Sequence, residues 1–148
     1  IAEEFLDTKT FSVSTSCHIS NPTSTNSSEK IGNAQYYNFD NDFSKFLKLY
    51  IYLVDVDDDN GPHIYIEKSH RNKKFNHLLM RPISTKEAEQ NYQEFKKYTG
   101  SQGTYFFEDG FGLHKGEAPV KKSRIILNIH YGREKIKYYK QDFYFDKG

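Results

Sequence analysis

Residues 45–54 read KFLKLYIYLV, a run in which two lysines are the only charged groups. It is short, aromatic and aliphatic, and an acidic turn (DVDDDNGP, residues 55–62) ends it, so it predicts a strand buried on both faces. A buried strand must pair with neighbours and be covered by a second layer, which obliges the rest of the chain to supply sheets. Residues 11–20 alternate Phe11, Val13, Thr15, Cys17 and Ile19 with Ser12, Ser14, Ser16, His18 and Ser20, the period of a half-buried strand. Further short strands are expected in AQYYNF (34–39), HIYIE (63–67), GTYFFEDGFG (103–112) and SRIILNIHYG (123–132). The turn formers of 21–33 predict an exposed loop, and 69–77 (SHRNKKFNH) a basic one. Ser84 with Glu87 three residues on forms a capping-box signal, and Ala88, Tyr92 and Phe95 share one side of a helix expected to run to about Tyr98, closed by Gly100. This order predicts a mainly β fold, a double-stranded β-helix of the cupin-like jelly-roll kind with one inserted helix.

A chain of 148 residues suffices for one domain with a single core, so residues 1–148 are expected to form one unit. The 12 Tyr and 12 Phe supply that core and favour strands. With 21 basic and 20 acidic residues the net charge is +1, which excludes a large field for nucleic acid or acidic lipid. The basic groups at 71–74 and 121–124 are too small to reverse this. Cys17 is the only cysteine, so an internal disulfide framework and a multi-thiolate metal site are excluded, and a reducing, cytoplasmic setting is expected. No apolar run reaches the roughly 18 residues of a membrane helix, so no membrane partner is expected. The chain starts at Ile1 and its one methionine is Met80, which suggests an N-terminally truncated excerpt of a longer polypeptide.

Asn38, Phe39 and Asp40 form a triplet whose outer members, two apart on a strand, point to one face. His114 lies far along the chain, and Arg124 follows it ten residues later at the start of an apolar strand. Non-haem iron oxygenases hold their metal with two histidines and a carboxylate, two of them as an HxD pair, and leave three positions open. A basic residue beyond the distal histidine then anchors a carboxylate of the co-substrate.

With these residues in place, the sequence resembles the phytanoyl-CoA dioxygenase family. AQYYNFDND with FLKLYIYLVDVDDDNGPHIYIEKSHR is similar to the family's metal-binding strand, buried strand, acidic NGP turn and SHR segment. FFEDGFGLHKGEAPVKKSRIILNIHYG is similar to its distal-histidine and arginine segment. The resemblance implies that Asp40 and His114 are Fe(II) ligands, that Arg124 binds the C5 carboxylate of 2-oxoglutarate, and that Lys48 and Tyr50 lie near this co-substrate. It implies a hydroxylase that uses molecular oxygen on a small-molecule substrate. The chain departs from the family pattern at Asn38, which replaces the first histidine by a weaker amide ligand, at Gly116, where a hydroxyl is often found, and at Lys68, where glycine is usual.

Several readings stay open from sequence. Asn38 is a weak oxygen ligand, the mark of a site that no longer binds iron, or a single change in a working lineage. Lys48 either pairs with an anion in the interior or snorkels from an edge. His18, His63, His70, His77 and His130 are spare histidines, of which His70 in SHR has a structural place. The acidic turn lacks the spaced ligands of a calcium loop and reads as solvated. The rival functions are a catalytically inactive β-helix that keeps only a small-ligand pocket, and an interaction jelly roll with aromatic surfaces.

Overall fold

The computed structural model describes residues 1–9, 11–22, 36–40, 45–79, 82–133 and 143–145. The chain order is α1 (Ala2–Leu6), β1 (Phe11–Ser20), β2 (Tyr36–Tyr37), β3 (Phe46–Tyr52), a 3-10 turn (Asp58–Asn60), β4 (His63–Ile66), α2 (Phe75–Leu79), β5 (Ile83–Ser84), α3 (Thr85–Asn91), β6 (Phe95–Tyr98), β7 (Tyr105–Asp109), β8 (His114–Gly116), β9 (Arg124–Gly132) and β10 (Phe143–Phe145). A larger antiparallel sheet has the order β10-β1-β9-β3-β7. A smaller one has the order β6-β4-β8, and a bridge from Asn38 to His114 joins to it the β2-β5 pair. These crossing neighbours are the jelly roll predicted from the strand pattern. Most of the expected loop at 21–33 lies outside the described residues.

Alternation assigns each strand's two faces. On β3, Phe46, Lys48, Tyr50 and Tyr52 are buried, with Leu47 also buried on the other face, whereas Leu49 and Ile51 are half-buried. The strand is therefore less fully covered than its composition suggests. The inward rings of β3 and β7 meet the smaller sheet: Tyr50 lies 4.8 Å from the His63 ring, and Phe106 stacks on Tyr98 at 4.0 Å and 6°. Tyr52 donates its hydroxyl proton to the Tyr98 carbonyl at 2.9 Å and accepts from the His63 N–H at 3.1 Å, which pins the two sheets. Ile64 and Ile66 point outward from β4 into a second cluster with Tyr37, Phe39, Ile83, Leu113 and Ala88 of α3.

Two helical expectations are corrected. The helix from Ser84 ends at Asn91, and Phe95–Tyr98 is a strand paired with β4. Ser84 does cap it, its hydroxyl accepting from the Glu87 N–H at 3.2 Å, but the Glu87 carboxylate turns to His77 Nε2 at 3.0 Å instead of closing the box. The pairing of β6 with β4 and this contact outweigh the local helical period. The helix is also not alone, since α1 and α2 flank other strands. Among the described residues no helix is long and apolar enough to cross a membrane.

The acidic turn is built rather than simply solvated. The Asp57 side chain accepts from the Asp59 N–H at 2.9 Å, and Gly61 ends the turn with φ 68°. The Asp59 carbonyl accepts from the N–H groups of Val120 at 2.8 Å, Lys121 at 3.1 Å and Lys122 at 3.3 Å. Asn60 Nδ2 donates to the Ser123 carbonyl at 2.9 Å, and Glu117 N–H to the Pro62 carbonyl at 3.0 Å. The turn thus grips 117–123, the segment that leads into β9.

Candidate functional site

Asn38 and His114 face each other across the smaller sheet. The Asn38 N–H donates to the His114 carbonyl at 2.9 Å, and the His114 N–H to the Asn38 carbonyl at 2.8 Å. Opposed residues share a face, and Asp40 shares it too, two positions along and held by its own N–H to the Gly110 carbonyl at 2.9 Å. The triplet read from sequence is therefore brought to the distal histidine. Asp40 Oδ2 lies 3.8 Å from His114 Nε2, and the Asn38 side chain is exposed. His114 Nδ1 is 2.9 Å from the Gly112 carbonyl, which can only accept, so Nδ1 carries the proton and Nε2 turns a lone pair toward Asp40. Burial lowers the His114 pKa and so favours the neutral ring.

The larger sheet meets this pair with charge. Lys48, with a side chain 5% exposed, forms an ion pair with Asp40. That resolves the open reading of Lys48 in favour of an interior anion partner, and it removes Asp40 from the class of solvated turn residues. Burial alone would raise the Asp40 carboxyl, but the Lys48 charge and hydrogen bond outweigh it and hold the carboxyl below its ordinary value. The Lys48 ammonium is buried yet raised well above the usual lysine range, by Tyr50 and Asp40.

Two further residues join the cluster: Glu108, which sequence reasoning missed, and His63, named there only among the spare histidines. Glu108 on β7 sits directly opposite Lys48, and its Oε2 is 2.6 Å from His63 Nε2. Burial pushes Glu108 up to about 7 and His63 down to about 3, so the imidazole is neutral and the carboxyl has gained proton affinity. Glu108 Oε1 is buried and accepts no hydrogen bond among the described residues; it lies 3.2 Å from His114 Nδ1. The available signal was a glutamate in the inward phase of YFFED, alternating with Phe106. Of the other spare histidines, His77 is fully buried between Tyr92 and Glu87, and His18 is exposed beside Ser16. His130 is buried on β9 opposite Lys48, with its pKa pushed down to about 4 by burial.

Arg124 begins β9 and is 8% exposed. Its Nη1 donates to the Glu117 carbonyl at 3.1 Å and its Nη2 to Ser20 Oγ at 3.2 Å, while Nε is buried with no acceptor among the described residues. The guanidinium lies over Gly116, where a Cβ would stand 2.5 Å from Nη2. The glycine at that departure from the family pattern thus makes room for the arginine. Tyr50 packs against His63 and Phe106, and burial raises its hydroxyl pKa. Asn128 is opposite Tyr50 on β9, its Oδ1 also buried without a partner among the described residues.

Among the described residues no three His, Cys, Asp or Glu side chains converge as a metal-binding group. Asp40 Oδ2 and His114 Nε2 do converge, with the histidine tautomer fixed from behind as metal-bound histidines require. This pair fits a divalent cation that takes its other ligands from a co-substrate and water.

No family model and no curated protein matches the chain. Solved structures do. AviO1 from Streptomyces viridochromogenes superposes with a TM-score of 0.61 at 16% identity, covering 94% of this chain and 58% of its own. The non-heme alpha ketoglutarate dependent epimerase SnoN from nogalamycin biosynthesis gives 0.66 at 16% identity, covering 88% and 52%. EctD from S. alaskensis with bound Fe gives 0.60 at 15% identity, covering 88% and 47%. At these identities the likeness is one of fold, and the chain spans about half the length of the structures it matches.

Proposed function

We propose that this chain carries the β-helix core of an Fe(II)- and 2-oxoglutarate-dependent enzyme acting on a small molecule, of the phytanoyl-CoA dioxygenase-like kind. Asp40 and His114 are its metal ligands, and Arg124 anchors the distal carboxylate of the co-substrate. The observation that carries the reading is the approach of Asp40 Oδ2 to His114 Nε2 at 3.8 Å on the face predicted from the triplet. The solved neighbours support it, since their names include an alpha ketoglutarate dependent epimerase and an enzyme with bound Fe.

Iron held by Asp40 and His114 would supply oxygen activation, with 2-oxoglutarate as the co-substrate that would be oxidised to succinate and carbon dioxide. The protein's part is positioning. Gly112 keeps the Nδ1 proton of His114 in place, so that Nε2 stays available as a ligand. Arg124, held by Glu117 and Ser20, keeps Nε for a carboxylate oxygen, a charge-assisted bond in a nearly dry site. Tyr50, His63 and Phe106 form an aromatic wall that excludes water between the two ends.

A second reading, a catalytically inactive domain that keeps a dicarboxylate pocket, is favoured by the exposed amide of Asn38 and by the Lys48 ammonium on Asp40. Anaerobic addition of Fe(II) and 2-oxoglutarate separates the two. A visible charge-transfer band in the wild-type chain is the expected result. A band that appears only in Asn38→His would sink the active reading and leave the second. Arg124→Ala is expected to abolish 2-oxoglutarate binding under either reading, and unchanged binding would overturn both.

A further inference from the structure

Lys48 and Glu108 are directly opposed on β3 and β7, so their side chains rise from neighbouring points on one face. Lys48 currently neutralises Asp40, and Glu108 is held at one oxygen by His63 while its other oxygen, Oε1, is buried and accepts no hydrogen bond among the described residues. A divalent cation on Asp40 cannot share that carboxylate with an ammonium ion at contact distance, because like charges in a low-dielectric interior repel strongly. The Lys48 side chain is 5% exposed, and the carboxylate charges that act on it are those of Asp40 and Glu108. Its nearest alternative anion is Glu108.

We propose that Lys48 is a movable counter-cation of this site: its ammonium group neutralises Asp40 in the metal-free protein and passes to Glu108 when a divalent cation takes Asp40. The inference rests on the metal-binding reading above and adds a determinant of metal affinity to it. In the metal-free state Lys48 offsets Asp40, and in the loaded state the metal offsets Asp40 while Lys48 offsets Glu108. Glu108 is thus a positioning residue that acts through Lys48, and the loss of a histidine at Asn38 is only one of two controls on metal binding.

The test is Co(II) binding by calorimetry to the wild type, Lys48→Met, Glu108→Gln and the double variant, with circular dichroism as the check on folding. Outer-shell partners typically change metal affinity by about 10- to 100-fold. Lys48→Met is expected to bind Co(II) tighter by about that factor and Glu108→Gln weaker by about that factor. With Lys48 absent, Glu108→Gln should change affinity clearly less than it does in the wild type, the remainder reflecting its 3.2 Å approach to His114 Nδ1. Glu108→Asp, which keeps the charge, should recover part of the lost affinity. Lys48→Gln provides the same comparison should Lys48→Met fail to fold. Equal affinity in Lys48→Met and wild type, or a Glu108→Gln effect that persists undiminished in the double variant, overturns the exchange while leaving the metal site standing. Absence of Co(II) binding in all four chains and in Asn38→His refutes the metal reading, and the exchange falls with it.

Discussion

Replacing Gly116 by alanine should dislodge Arg124, the carboxylate anchor proposed above, without changing the arginine itself. The Cβ would stand 2.5 Å from Arg124 Nη2, 3.1 Å from Cζ and 3.2 Å from Nη1. Relaxed contacts lie near 3.5–4.0 Å, so the guanidinium must recede by roughly 1 Å. The tip of an arginine is normally free to do so, but this one is 8% exposed and tied to Glu117 and Ser20. Gly116 does not have a positive φ, so the substitution tests space and not backbone strain. Overpacking of this kind costs about 1–3 kcal/mol, which lowers the melting temperature of a chain this size by roughly 3–10 °C. The more specific readout is 2-oxoglutarate affinity by calorimetry. Loss of one charge-assisted bond, about 1.5 kcal/mol, weakens binding about tenfold. A Gly116→Ala chain that melts and binds 2-oxoglutarate like the wild type would show that the guanidinium is not seated on residue 116.

The other predictions concern stability. Glu108 has a folded pKa of about 7 against an ordinary 4.5, so the native state binds its proton more tightly and stability falls as pH rises from about 4.5 to 7. Urea titrations across that range should show wild type losing about 3 kcal/mol relative to Glu108→Gln, and parallel curves would contradict the buried carboxyl. His63 works in the opposite direction, since a folded pKa of about 3 means stability is lost as pH falls below about 6.5. Tyr52→Phe strands the His63 N–H and the Tyr98 carbonyl and should cost about 1–3 kcal/mol in chemical denaturation. His77→Ala removes a fully buried ring bonded to Tyr92 and Glu87 and should cost about 2–4 kcal/mol by the same assay, a smaller loss implying that α2 repacks.

The strands were legible because their signal is local. The alternation of 11–20 became β1, the run of 45–54 became β3 over Phe46–Tyr52, and β9 starts at Arg124 as its sequence suggested. The third helix was overextended because Ala88, Tyr92 and Phe95 satisfy a helical period, and only the partner strand β4, remote in sequence, decides that Phe95–Tyr98 is extended. At the site, the face shared by Asn38 and Asp40 follows from strand geometry, so their meeting with His114 was accessible. Glu108 and His63 were not, because an acidic residue in a strand and a histidine after a turn become informative only when β7 and β4 converge. Lys48 was recognised as costly in the interior, but its partner lies on another sheet.

The grip of the NGP turn on 117–123 has a consequence for evolution of the site. Strands count in twos, so the position at which β9 begins sets the parity of everything after it. Adding or deleting one residue in the gripped segment would turn Arg124, Ile126, Asn128 and His130 outward together and bring Ile125, Leu127 and Ile129 in. A turn some distance from the chemistry therefore acts as a phase lock. A one-residue change of length here needs a compensating bulge if Arg124, Asn128 and His130 are to keep facing inward.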